Sequence, residues 1–456
     1  MKRKLSVILL CIATALCSAQ TSFYAADNSQ AYGDNAIVRS WDNGNAAITY
    51  YEVGLKRYVQ YVNYTTGDSY RTDVPDYLEI LDMYIMGDTV YYCGYSVLDT
   101  GGRGVVGYFD PSDFFNPINH VRFRTLQVPP LTHVRKLIAK RKHLSTAIEV
   151  IAIGEHHWET PVYDSSGHLD HIDYHYNQQF LFCDDILQSL VTYDTAKIYA
   201  NEHYYDVLLT DSKVVFVGTA TYLPHNTICF RMIDRAHAIP PTSPLPSQLD
   251  DIYLFQTGTD EVYSAMHSTT MGKDSIATAY MHINAATGEA STRIRVFDIL
   301  QLVNLYSQEY VVNDKSEVTD IVYIPADSSL VCMQDFLTQS GNYNTNFVYT
   351  KPTQANTYYP YMEYFKGTFF RSMTTYRKKH YLASLGPTWF LKDKNAMGPY
   401  SITYCPVKEN HKIQILDNTY RLYASLSLDV FQNRDRKILN SSSIELRNID
   451  IICNNP

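Results

Sequence analysis

Residues Leu78–Asp110 read LEILDMYIMGDTVYYCGYSVLDTGGRGVVGYFD. An alternating apolar run stops at Gly87-Asp88-Thr89, a second run closes at Gly94, a Gly-rich polar gap follows, and a third run ends at Asp110. Period-two alternation built from β-branched and aromatic side chains predicts strands, and the Gly-Asp punctuation predicts a tight hairpin. The stretch therefore reads as three strands and two turns.

The same spacing returns downstream. The interval from Asp82 to Gly94 is repeated from Asp206 to Gly218, and that from Gly94 to Asp110 is repeated from Gly218 to Asp234. Self-similarity at fixed spacing marks a repeat architecture. First strands of seven such units begin near Ala36, Leu78, Val134, Tyr204, Val262, Val318 and Thr368. Four units carry Asp followed by Ser or Thr at the first tip (Asp88-Thr89, Asp211-Ser212, Asp274-Ser275, Asp327-Ser328). Such pairs bond their own backbone in tight turns, so the recurrence has a local cause.

Each unit spans about 60 residues, enough for a four-stranded antiparallel sheet, and radial packing of such sheets is the β-propeller. The expectation is an all-β chain forming a single β-propeller domain over 20–456, most simply of seven four-stranded blades. Six or eight blades stay open, because roughly 50 residues follow Cys405, more than a fourth strand needs. The apolar run Ser443–Cys453 is expected to supply the last strand of the first or last blade. Pro240, Pro241, Pro244 and Pro246 mark a stiff loop in unit four.

The chain begins with Lys2-Arg3-Lys4, an apolar run from Leu5 to Leu16, and the small residues Ser18-Ala19. This predicts a signal peptide over 1–19, with the apolar run shorter than the roughly 20 residues that span a bilayer. Acylation at Cys17 is the competing reading, opposed by the bulky Leu16 before it. No later segment has the length and apolarity of a transmembrane span. The expected location is exported: periplasmic, cell-surface or extracellular. Loss of the leader moves the formal charge from −9 to −12, which disfavours generic binding of nucleic acid or anionic lipid. The basic stretch Arg135–His143 reads as a solvated hairpin tip.

In its alternation of strands and its blade-like repeat the mature chain resembles exported bacterial β-propellers at large. The resemblance is architectural and covers nearly the whole chain. Ser40-Trp41-Asp42-Asn43-Gly44 looks like the start of the Asp-box of sialidase-type propellers, from which Asn45, Ala46 and Ala47 depart; Asn43-Gly44 is explained as a hairpin turn.

Tyrosine is the compositional anomaly, with 40 residues. Tyr suits a half-buried pleated surface and is also favoured at binding surfaces. Six cysteines follow the leader: Cys93, Cys183, Cys229, Cys332, Cys405 and Cys453. Their even number permits disulfides, but each sits inside an apolar strand-like run, so buried free thiols are expected.

Unit three departs from the template. Gly154 to Asp184 is 30 residues where unit two has 16, and five of the chain's 15 histidines lie between His156 and His175. In extended chain His171, Asp173 and His175 point to one face, a set that could hold a divalent metal; no cofactor is otherwise implied. The same insertion offers Trp158, His168, Tyr174 and Tyr176 for binding a partner. Asp82, Asp206 and Asp320 recur at one template position, as channel carboxylates of a sugar hydrolase or as a hydrogen-bonding device between blades. No nucleophile elbow, P-loop or dinucleotide fingerprint is present. The leading expectation is a non-catalytic exported propeller that binds a protein or glycan through a Tyr-rich loop face. The alternative is a glycan-cleaving hydrolase or lyase using Asp82, Asp206 and Asp320. Nothing in the sequence specifies an oligomeric state.

Overall fold

The computed structural model describes residues 22–25, 32–41, 46–53, 56–63, 69–97, 102–115, 121–142, 144–163, 168–184, 189–194, 200–222, 225–236, 252–255, 261–284, 290–311, 316–326, 328–337, 343–352, 361–366, 371–376, 380–385, 388–393, 400–404, 411–416, 422–428 and 449–452. The leader, Cys405, Cys453 and the proline cluster after His237 lie outside them.

All eight sheets formed by these residues are four-stranded and antiparallel. Strand β1 (Ser22–Ala25) belongs to the eighth sheet. The first sheet is β2 (Tyr32–Trp41), β3 (Ala46–Val53), β4 (Lys56–Asn63) and β5 (Ser69–Asp73). The second is β6 (Leu78–Met86), β7 (Thr89–Ser96), β8 (Arg103–Phe109) and β9 (Arg124–Gln127). The third is β10 (His133–Arg141), β11 (Ile148–Tyr163), β12 (Leu169–Asp184) and β13 (Ser189–Asp194). The fourth is β14 (Ala200–Leu209), β15 (Lys213–Tyr222), β16 (His225–Asp234) and β17 (Tyr253–Phe255). The fifth is β18 (Glu261–Thr270), β19 (Ser275–Asn284), β20 (Ala290–Asp298) and β21 (Val303–Val311). The sixth is β22 (Ser316–Ile324), β23 (Ser329–Leu337), β24 (Tyr343–Thr350) and β25 (Tyr361–Lys366). The seventh is β26 (Ser372–Tyr376), β27 (His380–Leu385), β28 (Thr388–Asp393) and β29 (Tyr400–Tyr404).

These seven sheets follow the seven units of the spacing template in order, and the all-β fold is a β-propeller arrangement of six blades, the lower count the sequence left open. The eighth sheet runs β1, β30 (His411–Leu416), β31 (Leu422–Leu428), β32 (Ile449–Ile452). The C-terminal run thus supplies β32, the last strand of the last sheet, beside β31, and β1 stands on the opposite edge against β30. Among the described residues no helix is long and apolar enough to cross a membrane.

The chain divides into two compact units, one of residues 1–55, 60–71 and 370–456, the other of residues 56–59 and 72–369. Within the first, β2 lies beside β26. There the Val38 amide donates to Ser372 Oγ at 3.2 Å and the Ser40 amide to Thr374 Oγ1 at 3.3 Å.

In the second unit, consecutive sheets pack face to face, and strands β11, β15 and β19 of the inner sheets each feed two cores. Val150 and Ala152 of β11 join Cys93, Val106 and Leu137, whereas Ile151 and Ile153 join Phe180, Val207 and Phe216. One sheet on, Val214 and Phe216 belong to that second core, while Val215 and Val217 meet Met266, Ile276 and Phe297 in a third. Ala277 and Ala279 then turn to a fourth with Ile321, Leu330 and Val348. Both faces of the middle strands are buried, so they read as near-continuous apolar runs. Cys93, Cys183, Cys229 and Cys332 are free and buried in these layers, and burial pushes the thiols of the last three above their ordinary range.

Each first strand of this unit carries a β-bulge at one place. Registers skip between Ile80 and Asp82, Val134 and Lys136, Tyr204 and Asp206, Ser264 and Met266, and Val318 and Asp320. Opposite the bulge stand Gly94, Gly154 and Gly218 in three of the five sheets. A Cβ at position 94 would enter the van der Waals shell of the Glu79 carbonyl oxygen, and one at 218 that of the His203 carbonyl. The recurring glycines thus answer the kinked partner strand.

The tip aspartates are less uniform than a local turn device predicts. Asp274 accepts from the Ser212 amide, Ser212 Oγ and Thr210 Oγ1, each at 2.8 Å, so it ties its own tip to that of the preceding sheet. Burial alone would raise its carboxyl, but the Ser212 and Thr210 bonds and the charge of Lys213 hold it below the usual carboxylate range. Nor is the basic stretch simply a solvated tip: Lys140 Nζ is buried against Glu149 Oε2 at 2.6 Å.

Two stability outcomes follow. Gly94→Ala should cost about 1–3 kcal/mol through backbone overpacking, more than Gly87→Ala, where φ is +59° but the space is open; urea midpoints rank the pair. Asp274→Ala should cost about 1–3 kcal/mol near neutral pH by stranding three donors. Its folded carboxyl is depressed, so the deficit should shrink as pH falls below about 4, which chemical unfolding at stepped pH would read.

Candidate functional site

The insertion of unit three is not a loop but an extension of β11 and β12. Their ladder runs from Glu149 opposite Asp184 out to Tyr163 opposite Leu169. Strand β10 reaches β11 only as far as Glu155, and β13 reaches β12 only as far as Gln179. Beyond those pairs a two-stranded ribbon projects without sheet neighbours.

Cross-strand pairing sorts its side chains. Trp158 lies opposite His175, Thr160 opposite Asp173 and Val162 opposite His171 on one face; His157 lies opposite Tyr176 and Glu159 opposite Tyr174 on the other. Trp158 stacks with His156 at 4.7 Å and with His175 at 5.0 Å between ring centroids. His171 sits between Asp170 (3.0 Å) and Asp173 (3.3 Å), all exposed. The expected set of His171, Asp173 and His175 shares one face, with His171 beside Asp173 and His175 stacked on the Trp158 indole, and the close three-ligand group among the described residues is a different one. Tyr174 is 76% exposed and Trp158 40%, and Tyr163, Leu169 and Ile172 add further exposed apolar surface. His168 is exposed beside the tip.

At the root of the ribbon a denser cluster forms. Glu155, 2% exposed, takes Arg135 Nε on Oε2 at 2.5 Å, has His157 Nε2 on the same oxygen at 3.2 Å, and accepts from the Tyr176 hydroxyl on Oε1 at 3.2 Å. Tyr176 in turn contacts His203 Nδ1 at 3.0 Å. His133, directly across from Glu155, completes a His133–Glu155–His157 group whose ligand-type atoms all lie within 4.8 Å of one another.

Electrostatics follow the packing. Burial, then the charge of Arg135 and His157, lowers the His133 imidazole, and burial lowers that of His203. Burial alone would raise Glu155, but the charge and hydrogen bond of Arg135 with that of His157 bring it below the ordinary carboxylate range. Tyr176 is raised by burial and by Glu155, so its hydroxyl stays protonated and able to donate. Of these residues only Tyr176 was expected as a binding residue. His133 and His203 stand three positions before Lys136 and Asp206, hence at one template offset in neighbouring units. That coincidence, beside the insertion's root, is the sequence signal that could have found the cluster.

The recurring aspartates lie elsewhere, immediately after the bulges. Asp82 Oδ2 accepts the Leu137 amide of the next sheet at 3.3 Å, and Asp206 Oδ2 accepts the Ser268 amide at 2.6 Å. Asp320 Oδ1 accepts the amide of its own neighbour Ile321 at 2.8 Å. In the third unit the same template position is Lys136, whose Nζ reaches Asp206 Oδ1 at 3.5 Å. Burial first, and the charges of Asp82 and Asp320, outweigh Lys136 and raise the Asp206 carboxyl to about 6. Burial, reinforced by Lys136, lowers the nearby His267 imidazole to about 3.

These two groups slope oppositely with pH. The raised carboxyl of Asp206 contributes stability that is complete below about pH 4 and lost as pH rises through about 6. The lowered His267 loses stability as pH falls below about 6.5. The total curve hides both, so the readout is a difference: relative to Asp206→Asn, the parent should lose stability as pH rises from about 4 to 7. A flat or rising difference in urea midpoints would show that Asp206 ionises normally in the folded chain.

No protein-family model matches the chain, and no curated protein matches it. Among solved structures it is similar to the WD40 domain of SCAP from fission yeast, at 7% identity and a TM-score of 0.42 over 88% of this chain and 93% of that one. It is also similar to the extracellular domains 1-2 of Drosophila Semaphorin 1b, at 8% identity and 0.40 over 80% and 85%. A third likeness is to Sqt1 from Chaetomium thermophilum, at 8% identity and 0.35 over 76% and 93%.

Proposed function

We propose that the chain is an exported, non-catalytic β-propeller scaffold that recognises a protein or glycan through the aromatic ribbon of its third sheet. The observation that carries this reading is the ribbon itself. It places Trp158 on one face and Ile172 and Tyr174 on the other, with Tyr163 and Leu169 toward the tip, all in solvent on a two-stranded ladder where they support no core. Rigid amphipathic rings give contact area at low entropic cost, which is the chemistry of a binding surface. His168, near the tip, and Tyr176, at the root, frame the surface at its two ends.

The aspartates support the non-catalytic side of the reading. Asp82 and Asp206 each spend one carboxylate oxygen on a backbone amide of the next sheet, the behaviour of a latch between blades. A hydrolytic acid and base would need those oxygens facing a substrate.

The test is a glycan array and a panel of immobilised extracellular proteins probed with the parent chain and with a Trp158→Ala/Tyr174→Ala variant. Neither side chain supports a core, so the thermal transition should move by no more than a few degrees. Ligands retained by the parent should be lost by the variant, by about tenfold or more if these rings are hot spots. Ligands held equally by both would place recognition away from the ribbon.

A further inference from the structure

The root of the ribbon has the makings of a metal site, distinct from the histidines near its tip. His133 and Glu155 are a cross-strand pair of β10 and β11, and His157 follows Glu155 by two residues, so all three project on one side of the sheet from backbone that the ladder holds rigid. Glu155 and His157 already stand 3.2 Å apart, close to the roughly 3.4 Å between donors on a tetrahedral ion with bonds of about 2.1 Å. The remaining gap is within the 4.8 Å that bounds the group, and His157 is exposed and has room to turn.

The surroundings orient these groups. Thr132 Oγ1 donates to the Glu155 carbonyl at 3.0 Å and accepts the His157 amide at 3.2 Å. Its single proton is thereby committed, so at the 3.1 Å contact with His133 it must be the imidazole Nδ1–H that donates. The lone pair of His133 is left on Nε2, the tautomer a metal ligand needs, fixed by an outer hydrogen bond as ligating histidines usually are. Tyr176 holds the other oxygen of Glu155 in the same way. One residue opposes a cation: Arg135, whose guanidinium occupies Glu155 Oε2. Its side chain is 51% exposed, so it can leave for solvent.

We infer that His133, Glu155 and His157 bind one borderline divalent cation of the Zn²⁺ type, with Arg135 as the group it displaces. Two imidazole nitrogens and one carboxylate oxygen suit such an ion better than Ca²⁺ or Mg²⁺, which take oxygen ligands. Three protein ligands leave a coordination position for water or for a donor of a bound partner. The inference does not rest on the ribbon's role in recognition.

Titration of the chelator-stripped full chain with Zn²⁺, followed by calorimetry, tests it. The parent should take up one equivalent. His157→Ala and His133→Ala should each weaken binding by more than about tenfold, and Arg135→Met should tighten it, because the competing cation is gone. His171→Ala, His175→Ala and the Trp158→Ala/Tyr174→Ala variant should bind like the parent. Glu155→Gln serves as a further variant where it folds, and the exposed His157 keeps the test independent of it. No uptake by either the parent or Arg135→Met would overturn the site, as would uptake that survives His157→Ala or is lost in His171→Ala.

Discussion

A four-stranded sheet with apolar side chains on both faces has to be covered twice, and the second compact unit of this chain meets that demand for its three inner sheets by stacking each between two others. Ile151 and Ile153 look one way from β11 and Val150 and Ala152 the other, and the same division runs through β15 and β19. Burial of this kind is the dominant favourable term in folding and is roughly proportional to the apolar area removed from water. The cores share strands, so removing one side chain disturbs its own layer first. Phe216 stacks on Phe180 in one such layer, with ring centroids 3.9 Å apart.

Several polar groups at these layers bond from one sheet to the next. Asp82 and Asp206 receive amides of the next sheet, and Asp274 gathers three donors from the preceding tip. Gln178 both accepts from the Tyr204 amide at 2.7 Å and donates to the Tyr204 carbonyl at 2.9 Å, imitating a ladder pair across two sheets at the bulge of β14. Behind it Arg231 is fully buried yet donates to Glu202 and to the Tyr204 hydroxyl. A buried charge is tolerable only when paired and hydrogen-bonded, and each of these is. At the bulge of β14 the ladder is interrupted, and the Tyr204 amide and carbonyl are bound by Gln178 of the neighbouring sheet.

The candidate site grows out of that scaffold. Ladder partners on β10 and β13 stop at Glu155 and Gln179, while β11 and β12 continue outward, so the ribbon begins where packing ends. His133 and His203 come from one template offset of two neighbouring sheets and meet the ribbon's own Glu155, His157 and Tyr176 there. A site so placed has rigid walls and an open side, the usual arrangement where function is carried on a stable frame.

Local information was sufficient for the repeat. Period-two alternation, the Asp-to-Gly intervals and the tip dipeptides located all seven first strands and the buried thiols at positions 93, 183, 229 and 332, because each is a consequence of neighbouring residues on one hairpin. The length of the insertion was legible too, and so was its wealth of histidine and aromatic residues. Its form was not, since nothing local says that two 16-residue strands will pair past the end of their sheet. Nor did the sequence show that His175 would go to Trp158 while His133, 22 residues before Glu155, would go to the carboxylate, or that Lys136 would stand where other units have aspartate and face Asp206. Those outcomes depend on register and on which sheets lie side by side. Spacing along one strand says which residues share a face, and only the packed sheets decide what that face meets.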